Sequence, residues 1–285
     1  MSSSRDTDPL PRDTDPRPRD TDPLPPSGRL LVDEPAPHVV RLTISNPDKR
    51  GALDHAILDS FAQTLPALDA RCVIITGEET TFSAGYDIGN LPDSMFADEA
   101  EKLVAHPFTA ALDAVEAYPF PTVAAINGHA IGGGLELALA CDLRIAAATI
   151  AVGMPPAKLG LVYSHTGLRR FIDAIGVPRT RELFLVGKYI DAGTAMSWGL
   201  VNRLAGAESL EALTLDLAAE LAGNAPLAQR GNKRVIAALL RGESELPPEV
   251  EQELIELRQA SFASQDMREG MRAFAEKRPA RWRGA

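Results

Sequence analysis

Three consecutive glycines, Gly132, Gly133 and Gly134, stand between an apolar run and a helical pattern that begins at Leu135. Glycine at a helix N-terminus lets a ligand approach the backbone closely and leaves N–H groups to meet negative charge. A site of that kind binds a phosphate or stabilises an oxyanion. Close packing of a helix on a strand is the other reason to place glycine here. The dinucleotide and P-loop fingerprints do not fit, because neither their glycine spacing nor a Gly-Lys-Ser/Thr follows. The glycines are positioned from upstream, where Val123 to Ile126 reads as a buried strand and Asn127-Gly128 as a turn.

A second segment narrows the chemistry. Cys72 to Thr76 is a continuous apolar strand pattern, followed by a polar turn and F-S-A-G-Y-D-I, Phe82 to Ile88. Together with I-N-G-H-A-I-G-G-G-L-E, Ile126 to Glu136, this resembles the crotonase family, also called the enoyl-CoA hydratase/isomerase superfamily. The resemblance runs from about Val39 to Trp282 and takes in I-S-N-P-D-K-R-G-A-L near the start and F-A-E-K-R-P-A-R-W near the end. It implies an α/β fold, the crotonase (ClpP-like) spiral of β-β-α units with a C-terminal helical region. It also implies an oxyanion hole built from the backbone N–H groups of Tyr86 and Gly133, which would hold a thioester oxygen as it becomes an enolate. Coenzyme A would enter as part of the substrate, with no separate cofactor and no metal. By position, Lys49, Arg50, Ala52, Ala84, Asp87 and Ile88 fall in the loops implied to bind it. Phe274 and Lys277 fall where a C-terminal helix reaches a CoA, often that of a neighbouring subunit. The implied assembly is a homotrimer or a hexamer.

The reaction turns on carboxylates and one tyrosine. Hydration of an enoyl thioester needs an acid and a base around one water, and the family's hydratases use two glutamates. The first is matched by Glu136. The second belongs to a segment resembling Q-P-E-x-x-x-G, which here reads M-P-P-A-K-L-G, with Pro156 at the glutamate position. Proline neither donates nor accepts a proton there. Tyr163 follows seven residues later, at a place where the methylmalonyl-CoA decarboxylase branch also resembles this chain by carrying a tyrosine. Decarboxylation of a malonyl-type thioester needs no base for CO₂ loss, only stabilisation of the enolate and an oriented carboxylate. The favoured expectation is therefore a decarboxylase in which Tyr163 orients the carboxylate, with Glu136 and His165 as further catalytic candidates. A hydratase/isomerase or hydrolase is the alternative. A non-catalytic scaffold or RNA binder is the alternative of another class. Asp87 is also expected to brace its turn, and His129 reads as structural.

Composition bounds these readings. A chain of 285 residues buries a large core. The net charge of −10 argues against general nucleic-acid binding. The two cysteines, Cys72 and Cys141, both sit in apolar segments and read as buried thiols in a reducing, cytoplasmic setting. The apolar stretch from Val123 to Met154 is interrupted by polar and charged residues, so no membrane span is expected. Residues 1–28 contain R-D-T-D-P three times and read as a disordered tail. The expected core spans residues 29–206 and the helical C-terminal region 207–285. Alternation at Val40, Leu42 and Ile44 suggests a strand, and helices are expected over Ala56–Leu65 and about Asp98–Ala117. A further strand is expected near Leu143–Ala148. Late helices should begin at Pro226 and at Pro247-Pro248.

Overall fold

The computed structural model describes residues 28–87, 106–159, 161–241, 247–276 and 278–284. The expected tail up to residue 27, Ile88, Lys277 and the first part of the expected 98–117 helix lie outside the described residues.

Long apolar runs become central strands. A six-stranded sheet is ordered β1 (Arg29–Ala36), β2 (Val39–Ser45), β3 (Cys72–Gly77), β5 (Thr122–Ile126), β7 (Leu143–Ala147) and β10 (Arg203–Ala205). Only β1 with β2 is antiparallel; the other neighbours run parallel. Parallel strands need crossovers, which cover both faces of the sheet and demand unbroken apolar sequence. Every residue of β5 is buried accordingly. A smaller sheet is ordered β4 (Thr81–Ser83), β6 (His129–Ile131), β8 (Ala151–Gly153) and β9 (Ile190–Asp191). The chain alternates between the sheets: β3 leads to β4, β5 to β6 and β7 to β8. This is the spiral of β-β-α units that the resemblance implies.

The helices mostly follow their sequence signals. α1 (His55–Thr64) is capped by Asp54, whose carboxylate accepts from the Ile57 N–H at 3.0 Å. It gives way to a 3-10 turn at Leu65–Ala67, where Pro66 cannot supply the next α-helical donor. α2 (His106–Ala117) packs against α1. α3 (Gly133–Ala140) begins two residues earlier than the apolar pattern suggests. The Leu135 and Glu136 N–H groups both bond the Gly132 carbonyl, which closes the first turn over the glycines.

α4 (His165–Arg181) has no counterpart among the sequence expectations. Gly167, Gly176 and Pro178 interrupt its pattern, and Gly176 leaves helical geometry at φ +74°. α5 (Ala192–Trp198) precedes β10. α6 (Leu210–Ala222) follows, with Leu217 and Ala218 in the main core, and packs on β3, β5 and β7. The sheet therefore ends close to residue 206, but the first helix beyond it is still part of the same core. α7 (Pro226–Arg241) and α8 (Pro248–Ala263) start at the expected prolines, and α9 (Gln265–Glu276) completes the helices. Among the described residues no helix is long and apolar enough to cross a membrane.

Candidate active site

The loop between β2 and α1 is stitched to the segment after β4. Ala84 N–H bonds the Arg50 carbonyl at 3.0 Å, Leu53 N–H the Gly85 carbonyl at 2.8 Å, and Asp87 N–H the Leu53 carbonyl at 3.1 Å. The Ser83 hydroxyl adds a bond to the Gly51 carbonyl at 2.7 Å. These bonds hold Tyr86 between two anchored neighbours.

Across from this segment lies the start of α3, and the approach is close. A Cβ on Gly133 would stand 3.4 Å from the Tyr86 amide nitrogen, and one on Gly85 would stand 3.3 Å from the Gly133 amide nitrogen. Gly85 itself has φ +98°, where a side chain is strained. A Cβ on Gly134 would come within 2.6 Å of the Ser83 carbonyl oxygen, so that glycine is required by packing. Gly132 N–H bonds the Gly153 carbonyl at 2.9 Å, tying the glycine run to β8. Gly133 is the first residue of α3, so its N–H has no acceptor within that helix. The amide nitrogens of Tyr86 and Gly133 thus lie close together at a helix start, where the helix dipole favours negative charge. The Phe108 ring of α2 lies over it, 3.2 Å from where a Gly133 Cβ would be.

One turn into α3, Glu136 is only 2% exposed. One carboxylate oxygen accepts the Tyr163 hydroxyl. The other accepts the Arg170 Nη1–H at 2.9 Å. Arg170 also donates from Nε to Glu116 at 2.6 Å and lies 3.7 Å from Asp113, both on α2. Burial raises the Glu136 carboxyl above the usual carboxylate range; Tyr163 and Arg170 pull it partly back, and the nearby charge of Glu116 pushes it up. Burial, then the negative charge of Glu136, places the Tyr163 phenol well above its ordinary value. The Tyr163 ring meets Phe184 edge-on, with centroids 5.4 Å apart. Gly167 lies against the pair: a Cβ there would sit 2.6 Å from the Tyr163 ring and 2.8 Å from a Glu136 oxygen. The Ser164 cap of α4 fixes this contact by accepting the Gly167 N–H at 3.1 Å.

Several other residues named from the sequence find different surroundings. Tyr163 was expected to point its hydroxyl at a substrate carboxylate, but that hydroxyl donates to Glu136. His165 is exposed at the first position of α4. Lys49 and Asp87 form an ion pair at 2.5 Å. Arg50 is exposed in a left-handed conformation, Ala52 is buried and Ala84 half-buried. His129 accepts the Ala151 N–H at 2.9 Å, a structural bond between β6 and β8. Pro156 is buried at the start of a 3-10 turn. Phe274 falls on α9. Both cysteines are buried, and burial pushes each thiol up to about 12. Among the described residues no group of three or more side chains is suited to a metal ion. Sequence reasoning missed Arg170, Glu116 and Phe108. The arginine sits in a helix whose pattern is broken by glycine and proline, and its partners come from another helix.

A parallel-stranded spiral of β-β-α units with a glycine-led helix close to the segment after β4 defines the crotonase class of fold. The model of the enoyl-CoA hydratase/isomerase family matches residues 35–285. The Bacillus subtilis protein YngF is 34% identical over 252 residues, covering 87% of this chain and 95% of its own. The carnitinyl-CoA dehydratase of Salmonella typhi is 32% identical, covering 86% of this chain and 95% of its own. A crystal structure of an enoyl-CoA hydratase from Bacillus anthracis superposes with a TM-score of 0.81 at 30% identity, over 90% of this chain and all of that one. The chain belongs to the enoyl-CoA hydratase/isomerase family of the crotonase superfamily, a family of enzymes.

Proposed function

We propose that the protein catalyses proton transfer on an acyl-CoA thioester, of the hydratase/isomerase kind. The thioester oxygen lies between the amides of Tyr86 and Gly133, and Glu136 is the acid/base. The single observation that carries this reading is the buried carboxylate of Glu136, one helical turn beyond the glycine run, with both oxygens held by hydrogen bonds.

For isomerisation, Glu136 removes a proton from the carbon beside the thioester of a 3-enoyl substrate. The electron pair moves into the carbonyl, and the two amides stabilise the dienolate oxygen. The same carboxyl then returns the proton to carbon 4, leaving the 2-enoyl product. One carboxylate suffices, which agrees with proline at position 156. For hydration, Glu136 takes a proton from water as the hydroxyl adds to carbon 3, and the proton goes to carbon 2. A raised carboxyl pKa suits a group that must both accept and donate.

Decarboxylation, favoured from the sequence, fares less well as a reading. The names of the relatives are those of hydratases, isomerases and a dehydratase. Glu136 also opposes a substrate carboxylate by its charge, and the Tyr163 hydroxyl is already committed to it. Pro156 alone keeps decarboxylation as a second reading. The test is incubation with 3-hexenoyl-, crotonyl-, malonyl- and methylmalonyl-CoA, following double-bond shift, loss of enoyl absorbance and CO₂ release. Isomerisation or hydration abolished by Glu136→Gln supports the proposal. CO₂ release that survives Glu136→Gln and is lost in Tyr163→Phe overturns it.

We also propose assembly into a trimer or hexamer. Ile236, Leu239 and Leu240 are 58%, 60% and 52% exposed on one face of α7, as an interface between copies would leave them in a single chain.

A further inference from the structure

We infer that Arg170 is a positioning residue for the reaction: it fixes the Glu136 carboxylate and sets the pH at which that carboxylate works. The inference rests on the acid/base role proposed for Glu136. Arg170 reaches from α4 across to α2 and α3, and its side chain is only 14% exposed. It meets Glu136 at 2.9 Å through Nη1, Glu116 at 2.6 Å through Nε, and Asp113 at 3.7 Å. One cation therefore serves three carboxylates of very different exposure: Glu136 at 2%, Glu116 at 31% and Asp113 at 64%. The solvated ones do little on their own. The buried one depends on the guanidinium, because an isolated buried carboxylate takes up a proton instead.

Among the described residues, the other elements around Glu136 offer no substitute. Tyr163 covers the second oxygen as a neutral donor. β4 and β5 carry no titratable side chain. Arg144 of β7 turns to the carbonyls of Leu200 and Cys141, and His129 of β6 is bonded to Ala151. On α2, Glu116 and Asp113 add negative charge, so their effect on Glu136 opposes that of Arg170. The two directions can be separated. Loss of Arg170 favours the protonated carboxyl and moves the acidic limb of the pH–rate profile upward. Loss of the Glu116 charge moves that limb downward.

The same network ties α2 to α3, and α2 carries the Phe108 ring that lies over Gly133. Arg170 thereby joins the acid/base group to the wall of the oxyanion site. A carboxylate freed on one side misaligns, and misplacement of about 1 Å costs on the order of 100-fold in rate.

The experiment compares wild type with Arg170→Met, Arg170→Lys and Glu116→Gln. It reads kcat, KM, the pH–rate profile and the Glu136 titration, the last from the carboxyl stretch in infrared difference spectra against Glu136→Gln. Arg170→Met is expected to lower kcat by about 10- to 100-fold with KM little changed and to move both the limb and the titration upward. Arg170→Lys should restore part of each, and Glu116→Gln should move both downward in a protein that folds normally. A purely structural arginine would lower thermal stability and leave the titration in place. If the titration stays put in Glu116→Gln and in folded Arg170→Met, the inference is overturned. If it moves as expected but wild type transfers no proton on any thioester, the acid/base reading fails while the control of Glu136 by Arg170 stands.

Discussion

Glycine carries the most at the scale of single residues. Gly133 supplies a main-chain donor next to the Tyr86 amide, in a space that a Cβ would narrow. Gly133→Pro removes the donor while leaving a first helical position where proline is tolerated. Turnover is expected to fall by about 100- to 1000-fold, with the far-ultraviolet spectrum unchanged. Tyr86→Ala keeps its amide and should retain most of the rate, although it loses the contact of the Tyr86 hydroxyl with His55 at 3.1 Å. Steady-state kinetics on the folded variants checks both, and a near-normal Gly133→Pro would dismiss the oxyanion site. These glycines were legible in the sequence because few physical reasons call for three in a row at a helix start. Glu136 was legible as a candidate, but its environment was not. The bond from Tyr163 and the ion pair with Arg170 join residues far apart in the chain, and no local pattern encodes that meeting.

At the scale of elements, α4 decides how well the site is held, and it is one of the helices that the sequence hid. Gly167 and Gly176 are its two instructive positions, and they should respond differently to the same substitution. Gly167→Ala forces a methyl group against the Tyr163 ring and a Glu136 oxygen, at 2.6 and 2.8 Å in the present geometry. The pair must shift, and a loss of roughly 100-fold in turnover is expected. Gly176→Ala meets nothing nearer than the Pro178 Cδ at 3.9 Å, but its φ of +74° strains any side chain. That variant should lose stability by about 1 kcal/mol with kinetics unchanged, measured as a shift in urea midpoint. Equal effects on turnover would contradict the placement of the α4 N-terminus against the site. The strands were easier to read. Cys72–Thr76 and Val123–Ile126 are apolar without interruption because both faces of a parallel sheet are covered. β9 and β10, of two and three residues, carry too little pattern to be seen in advance.

At the scale of the whole molecule, the spiral and its first C-terminal helix share one core, while α7 keeps an apolar face outward. Ile236, Leu239 and Leu240 recur at helical spacing on that face. Leu185 and Val186, 74% and 50% exposed, add to the apolar surface next to Gly187. Sedimentation velocity at micromolar concentration is expected to give a trimer or a hexamer, and Leu239→Glu to weaken it. A stable monomer would refute the assembly. The late helices were foreseen from their prolines and leucine spacing. Their division of labour was not, since whether a helix buries its apolar stripe on its own sheet or on another chain is a tertiary choice. α6 makes the first choice, with Leu217 6% exposed.

The two amides of the proposed oxyanion site belong to the main chain, and this matters for inhibitor design. A compound that places an anionic oxygen between them relies on groups that no ordinary side-chain exchange deletes. Escape would require proline, or a distortion of glycines already pressed against neighbouring backbone, and either change would damage the enzyme's own turnover. Resistance should therefore arise at a side chain beside the pair, such as Phe108, and a small inhibitor confined to the amide pair would give it little to act on.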